Sequence, residues 1–134
     1  MKNLFNNLFY ATTLMLLTGG CLKSPFESRV TTVYGSIIDN NTNLPVDSVE
    51  VTILGMSGSI RPVSDVIKTV YTDKTGTYNV TVDVPKEFHS INVEIYTRNR
   101  YKDFLLFLNG QSAKSCCIVE VGATAQYDYR LIPR

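Results

Sequence analysis

The chain has 134 residues, with 13 Lys and Arg against 12 Asp and Glu, one histidine, three cysteines and no tryptophan. That length admits one ordinary domain plus short appendages and leaves no room for a second core. The near balance of charge provides no surplus of cations to neutralise phosphates, which excludes nucleic acid as an expected partner, and no charge block or low-complexity tract marks a long disordered region.

The first 20 residues, MKNLFNNLFYATTLMLLTGG, carry Lys2, an apolar run from Leu8 to Leu17, and then Thr18, Gly19 and Gly20. A helix needs about twenty apolar residues to cross a bilayer, so this shorter run reads as a signal peptide that is cleaved and not as a permanent span. Cys21 follows directly. An apolar run, small residues and then cysteine resemble the lipobox of bacterial lipoproteins, except that Thr18 stands three residues before the cysteine, where leucine is usual, and Leu17 lies one place further back. The resemblance implies cleavage before Cys21 and acylation of its thiol. Two or three acyl chains would attach the protein stably, since each buried methylene contributes about 0.8 kcal/mol and a single chain binds only marginally. The alternatives are an ordinary secretory cut near Gly20 that leaves Cys21 a free thiol, and an uncleaved anchor.

Residues 21–29 read as a tether, with Pro25 and several polar side chains. Removal of residues 1–20 takes only Lys2 from the charged set, so the remaining chain is formally neutral. The expected localisation is the cell envelope, lipid-anchored at the outer membrane. Glu27 is the lone acidic residue of the tether, so no acidic run selects between the periplasmic and the surface face.

From Val30 onward the dominant pattern alternates with period two, as half-buried strands do. In SVEVTIL, Val49, Val51 and Ile53 share a face; in TYNVTVDV, Tyr78, Val80 and Val82 do; in INVEIYT, Ile91, Val93 and Ile95 do. Turn-forming clusters at 39–45, 55–59, 73–76, 84–90, 109–110 and 122–123 separate the runs. Strands are predicted near 30–38, 48–54, 66–72, 76–83, 90–97, 103–108, 116–121 and 126–132, with FLLFL at 104–108 buried on both faces. Regularly spaced short strands predict an all-β, antiparallel two-sheet sandwich of seven to eight strands over residues 30–134. Lys68, Lys102 and Pro62 fall where strand edges are expected.

Residues 33–82 carry a more specific pattern, VYGSIIDNNTNLPVDSVEVTIL and, after a variable stretch, TVYTDKTGTYNVTV. Through Gly35, Ile37, Asp39, Thr42, Pro45, Val49, Val51, Thr72, Asp73, Gly76 and Tyr78 this resembles the carboxypeptidase-regulatory-like domain, a transthyretin-like sandwich. Asp47 and Ser48 stand near a position where the family often has glycine, and GMSGSIRPVSD is longer than the usual connection. The resemblance covers about 50 residues well and implies a non-catalytic accessory or binding role, with no catalytic residue carried over.

The chemistry-bearing residues are few. Adjacent Cys116 and Cys117 in a strand point to opposite faces, which predicts two thiols, Cys117 inward with Val119 and Val121 and Cys116 outward; a disulfide between them is the alternative. His89 is the single histidine, too few for transthyretin-like hydrolases, which use several, or for intradiol dioxygenases, which use two with two tyrosines. GMSGS approaches a G-x-S-x-G elbow but ends in Ser59 with no helix expected to follow. DNNTN at 39–43 has oxygen ligands without the spaced carboxylates of a calcium loop, so turn chemistry explains it. Asp47-Ser48-Val49 resembles a short O-glycosylation acceptor. The segment YTRNRYKD is the richest, since Tyr96 and Tyr101 offer flat faces and Arg98 and Arg100 can fork onto carboxylates of a glycan or peptide; a solvated hairpin is the competing reading.

The sequence therefore predicts a lipid-anchored β-sandwich without enzymatic activity, cofactor or metal. It would contact the membrane through its N-terminal lipid and an envelope protein or glycan through its loops. The runner-up is a carbohydrate-binding accessory of an outer-membrane nutrient uptake system, with Tyr96, Arg98, Arg100 and Tyr101 at its site. A hydrolase using His89 and a nearby serine comes third.

Overall fold

The computed structural model describes residues 27–58 and 62–134; residues 1–20, Cys21 and Ser59 lie outside them. Nine strands follow in chain order: β1 (Val30–Asp39), β2 (Glu50–Ser57), β3 (Val63–Tyr71), β4 (Thr77–Asp83), β5 (Ser90–Tyr96), β6 (Tyr101–Leu108), β7 (Gln111–Ala113), β8 (Ile118–Glu120) and β9 (Thr124–Pro133). They form a five-stranded sheet in the order β4-β1-β9-β6-β7 and a four-stranded sheet in the order β3-β2-β5-β8. Among the described residues there is no helix, and the domain is an all-β sandwich.

The alternation seen in the sequence becomes the core. Val33 and Ile37 of β1, Val51 and Ile53 of β2, Tyr78, Val80 and Val82 of β4, Ile91 and Val93 of β5, and Tyr127, Tyr129 and Leu131 of β9 are all buried between the sheets. Burial of each such aliphatic side chain contributes about 1.5–3 kcal/mol. The three core phenols all find partners: Tyr78 donates to the Tyr127 carbonyl at 2.7 Å, Tyr127 to the Ile118 carbonyl at 3.2 Å, and Tyr129 to Cys117 Sγ at 3.5 Å.

Several expectations are corrected. The sheets are not wholly antiparallel, because β1 and β9 run parallel, with Tyr34 beside Gln126 and Ile37 beside Tyr129. Alternation reports which face a side chain takes and says nothing of a neighbour's direction. The strands number nine, beyond the seven to eight expected, because Asn109 and Gly110, at φ 49 and 80, make a two-residue turn that folds β7 back onto Leu106–Leu108. Positive φ at both turn residues matches the twist of a hairpin, and Asn-Gly adopts it readily. FLLFL is not buried on both faces: Leu106 points inward and is buried, while Leu105 on the outer face of β6 is exposed.

The cysteines are also corrected. Residues 116 and 117 precede β8 instead of lying within a strand, and their sulfur atoms lie against each other across a cis peptide, the arrangement of the alternative disulfide reading. The inward and outward placement holds, with Cys117 buried beside Val119 and Cys116 exposed.

The edges are guarded. β3 is the outermost strand of its sheet, and its pairing with β2 shifts at Ile67, so that Lys68 faces Ile53 while Val66 faces Leu54. Such a bulge, with Lys68 and Asp65 on the strand and Pro62 before it, opposes edge-to-edge pairing. Lys102 lies on the part of β6 that β7 does not cover, since β7 pairs only with Leu106–Leu108.

Strand directions define two ends of the sandwich. Residues 27–29, the β2–β3 and β4–β5 connections and the Gly122 turn sit at the end where β1 starts. The β1–β2, β3–β4 and β5–β6 connections sit at the other end, where β1 finishes. Arg29 belongs to the folded body: its guanidinium donates to the carbonyls of Val84 at 2.8 Å, Pro85 at 2.9 Å and Phe88 at 2.5 Å.

Candidate functional site

The loop end is built by the residues of the sequence pattern. Thr72 Oγ1 donates to the Val46 carbonyl at 2.8 Å and accepts from the Val49 N–H at 2.9 Å, while the Ser48 N–H donates to the Thr72 carbonyl at 2.9 Å. The Ile37 N–H donates to the Gly76 carbonyl, and the Val46 N–H donates back to Ile37. Gly76 sits at φ 71, and a Cβ there would meet the Ile37 carbonyl at 2.6 Å and Pro45 at 2.9 Å, so the site requires a residue with no side chain. Threonine 72, glycine 76 and proline 45 thus lock the β1–β2 loop onto the β3–β4 turn.

Carboxylates stiffen both turns. Asp39 Oδ1 accepts the N–H groups of Asn41 at 2.8 Å and Thr42 at 3.0 Å. The Thr42 N–H is the main cause that holds the Asp39 carboxyl below the usual carboxylate range. DNNTN therefore uses its aspartate to make an Asx turn. Asp73 accepts from the Thr75 and Thr77 hydroxyls and from both their N–H groups. With the Thr75 hydroxyl first among the causes, these bonds hold its carboxyl at about 2.

Against this rigid wall stands the β5–β6 turn. Tyr96, Thr97, Arg98, Arg100 and Tyr101 line one depression of about 250 Å³ together with Val46, Asp47, Ser48 and Val49. All four sequence-predicted ligand-binding residues are therefore brought to one place. Arg98 and Asn99 sit at φ 46 and 63, and the Arg100 N–H donates to the Thr97 carbonyl at 3.2 Å, a tight turn that leaves both guanidinium groups exposed. Tyr96 is exposed, whereas Tyr101 is half-buried. Burial first, and then the facing Asp39 carboxylate, raise the Tyr101 phenol above its ordinary range. Chemically the depression offers two aromatic faces, two cations and the Asp47 carboxylate, a set suited to holding a carboxylate-bearing ligand.

The remaining candidates lie elsewhere. His89 sits at the opposite end of the sandwich, exposed, with Nδ1 3.1 Å from Ser90 Oγ and its N–H donating to the Met56 carbonyl. No carboxylate orients this His–Ser pair among the described residues. GMSGS runs along β2 as far as Ser57, and Gly55 makes room there for the Phe88 ring, which a Cβ would meet at 2.5 Å. Ser48 is exposed at φ 54 in the wall of the depression. Cys21 lies outside the described residues.

Sequence reading missed a larger depression of about 560 Å³ on the outer face of the five-stranded sheet. It is lined by Tyr34, Ser36, Asn79 and Gln126 on the strands and by Tyr71 and Asp73 near the β3–β4 turn. These residues come from distant parts of the chain and converge only through strand pairing.

No protein-family model matches the chain, and no curated protein matches it in sequence. Among solved structures, the crystal structure of a 9R-lipoxygenase from Cyanothece PCC8801 is similar over 90% of this chain, at 13% identity and a TM-score of 0.36. The chain spans 20% of that protein's length, and a likeness this low carries no inference about function.

Proposed function

We propose that the chain is a non-catalytic cell-envelope lipoprotein, anchored at the outer membrane through Cys21, whose sandwich is a transthyretin-like, carboxypeptidase-regulatory-like binding module. One observation carries the reading. The folded body begins at the end opposite the β5–β6 turn, so a lipid at Cys21 would leave Tyr96, Arg98, Arg100 and Tyr101 pointing away from the membrane. The ten residues of β1, at about 3.3 Å each, set the two ends about 33 Å apart. The family reading is supported by the bonding among Ile37, Pro45, Val49, Thr72 and Gly76, which gives those residues one shared task.

The ligand in this reading is a carboxylate-bearing segment of an envelope protein, held by the two arginines. A carbohydrate-binding accessory of a nutrient uptake system is the second reading, favoured by the two tyrosines that flank those arginines in one depression.

Radiolabelled palmitate should enter the protein and fail to enter a Cys21→Ala variant; label retained in that variant overturns anchoring. Cross-linking in whole envelopes should capture an envelope protein, and an Arg98→Ala, Arg100→Ala double variant should lose it. Binding to a glycan array that vanishes with Tyr101→Ala would instead promote the second reading. Hydrolysis of an ester or glycoside panel that is lost in His89→Ala would overturn the non-catalytic assignment.

A further inference from the structure

The outer face of the five-stranded sheet differs in chemistry from that of the four-stranded sheet. Strand register sets its side chains in rows across β4, β1 and β9. Thr81, Thr32 and Thr124 form one row, Asn79, Tyr34 and Gln126 the next, and Thr77, Ser36 and Asp128 the third, which Phe107 of β6 extends. Within these rows the sole charged side chain is Asp128. It is engaged by the Ser36 N–H at 2.8 Å, the Ser36 hydroxyl at 2.9 Å and Gln126 Nε2 at 2.7 Å. The outer face of the other sheet instead carries Glu50, Glu94 and Glu120.

The second and third rows floor the depression of about 560 Å³, and Ser36 and Asp128 join it to a second of about 330 Å³ that reaches Phe107 and Arg130. The combined groove crosses β4, β1, β9 and β6, three inter-strand spacings or about 14 Å. Tyr71 and Tyr34 stand along it at 54% and 39% exposure, and Phe107 lies at the far end with the Arg130 guanidinium 5.8 Å from its ring centroid. Aromatic faces therefore recur along the groove, separated by hydroxyls and amides.

We propose that this groove binds a neutral oligosaccharide lying across the strands. The larger depression contains no lysine or arginine and two carboxylates, Asp73 and Asp128, so phosphates, sulfates and uronic acids meet repulsion there. A compact apolar ligand needs a pocket that encloses most of its surface, which an open groove does not provide. A sugar chain offers what the groove matches: apolar C–H faces for tyrosine rings and neutral hydroxyls for amides. The Asn79 amide and the Tyr34 hydroxyl have no partner among the described residues, so both are free for a ligand. Tyr34 is held on a strand paired on both sides, which lowers the ordering cost of binding. The inference concerns a different face from the loop-end depression and is independent of the ligand held there.

Affinity electrophoresis of the full chain, in a detergent without a sugar headgroup, tests it with gels containing starch, xylan, mannan, mixed-linkage glucan, alginate or heparin. At least one of the neutral polysaccharides should retard the protein, and alginate and heparin should not. Tyr34→Ala and Asn79→Ala should each weaken that retardation about tenfold, Tyr34→Phe, which keeps the ring and loses the hydroxyl, should weaken it by less than Tyr34→Ala, and Glu94→Ala on the opposite face should leave it unchanged. Asn79→Ala, on an exposed edge strand, keeps the test decisive if Tyr34→Ala lowers the melting midpoint. Failure of all four neutral polysaccharides, retardation by the anionic ones alone, or retardation indifferent to both alanine variants would overturn the proposal.

Discussion

The Tyr78 hydroxyl meets the Tyr127 carbonyl at 2.7 Å because Gly35 leaves the space between β1 and β9 open. A Cβ on residue 35 would overlap that carbonyl. Tyr78→Phe leaves a buried acceptor unpaired and should cost about 1–3 kcal/mol. Gly35→Ala, which displaces backbone, should cost more. Urea denaturation measures both, and a Tyr78→Phe midpoint equal to the parent's would show that the bond contributes nothing.

Arg29 ties the start of the domain to the β4–β5 connection through three carbonyl acceptors. Bonds from a charged donor are each worth about 1.5–3 kcal/mol, so Arg29→Ala should lower stability by about 2 kcal/mol or more. Arg29→Lys, which cannot reach three acceptors with one planar fork, should recover less than half of the loss.

Acid stability depends on Asp73. Its folded carboxyl sits at about 2, below its unfolded value of 3.8, so the folded state binds fewer protons in that window. The contribution is complete above about pH 4 and is lost as pH falls towards 2. Thermal melts should therefore show a falling midpoint across that range, with Asp39, shifted in the same direction, adding to the slope. Asp73→Asn should be less stable at neutral pH and show a shallower acid limb; an unchanged limb would assign it to other groups.

The alkaline limb has the opposite sign. Burial raises the phenols of Tyr78, Tyr127 and Tyr129 above 10, so the folded state holds protons that the unfolded chain releases. Stability is full below pH 10 and declines above it. Ultraviolet titration should find these three phenols ionising together with unfolding.

Much of the fold was legible in the sequence because burial and strand period coincide: Val51, Ile53, Val80 and Val82 point inward as alternation requires. The parallel β1–β9 pairing was not, since Tyr34 and Gln126 meet across a separation that no local pattern spans. FLLFL misled because a continuous apolar run signals burial on both faces only when both are covered, and the outer face of β6 leaves Leu105 exposed. The loop-end residues Tyr96, Arg98, Arg100 and Tyr101 were found together because they are nearly contiguous. The row of Asn79, Tyr34 and Gln126 was invisible because each residue alone reads as the polar side of an ordinary strand.

The place of β9 has a consequence for biosynthesis. Residues 124–133 lie between β1 and β6 and contribute Tyr127, Tyr129 and Leu131 to the core. Until they have been synthesised, β1 lacks one neighbour, β6 has no strand to join it to the sheet, and the Tyr78 hydroxyl has no acceptor. Contacts of such long sequence separation form late. The five-stranded sheet therefore cannot close, nor the core between the two sheets be completed, before residues 124–133 have been made.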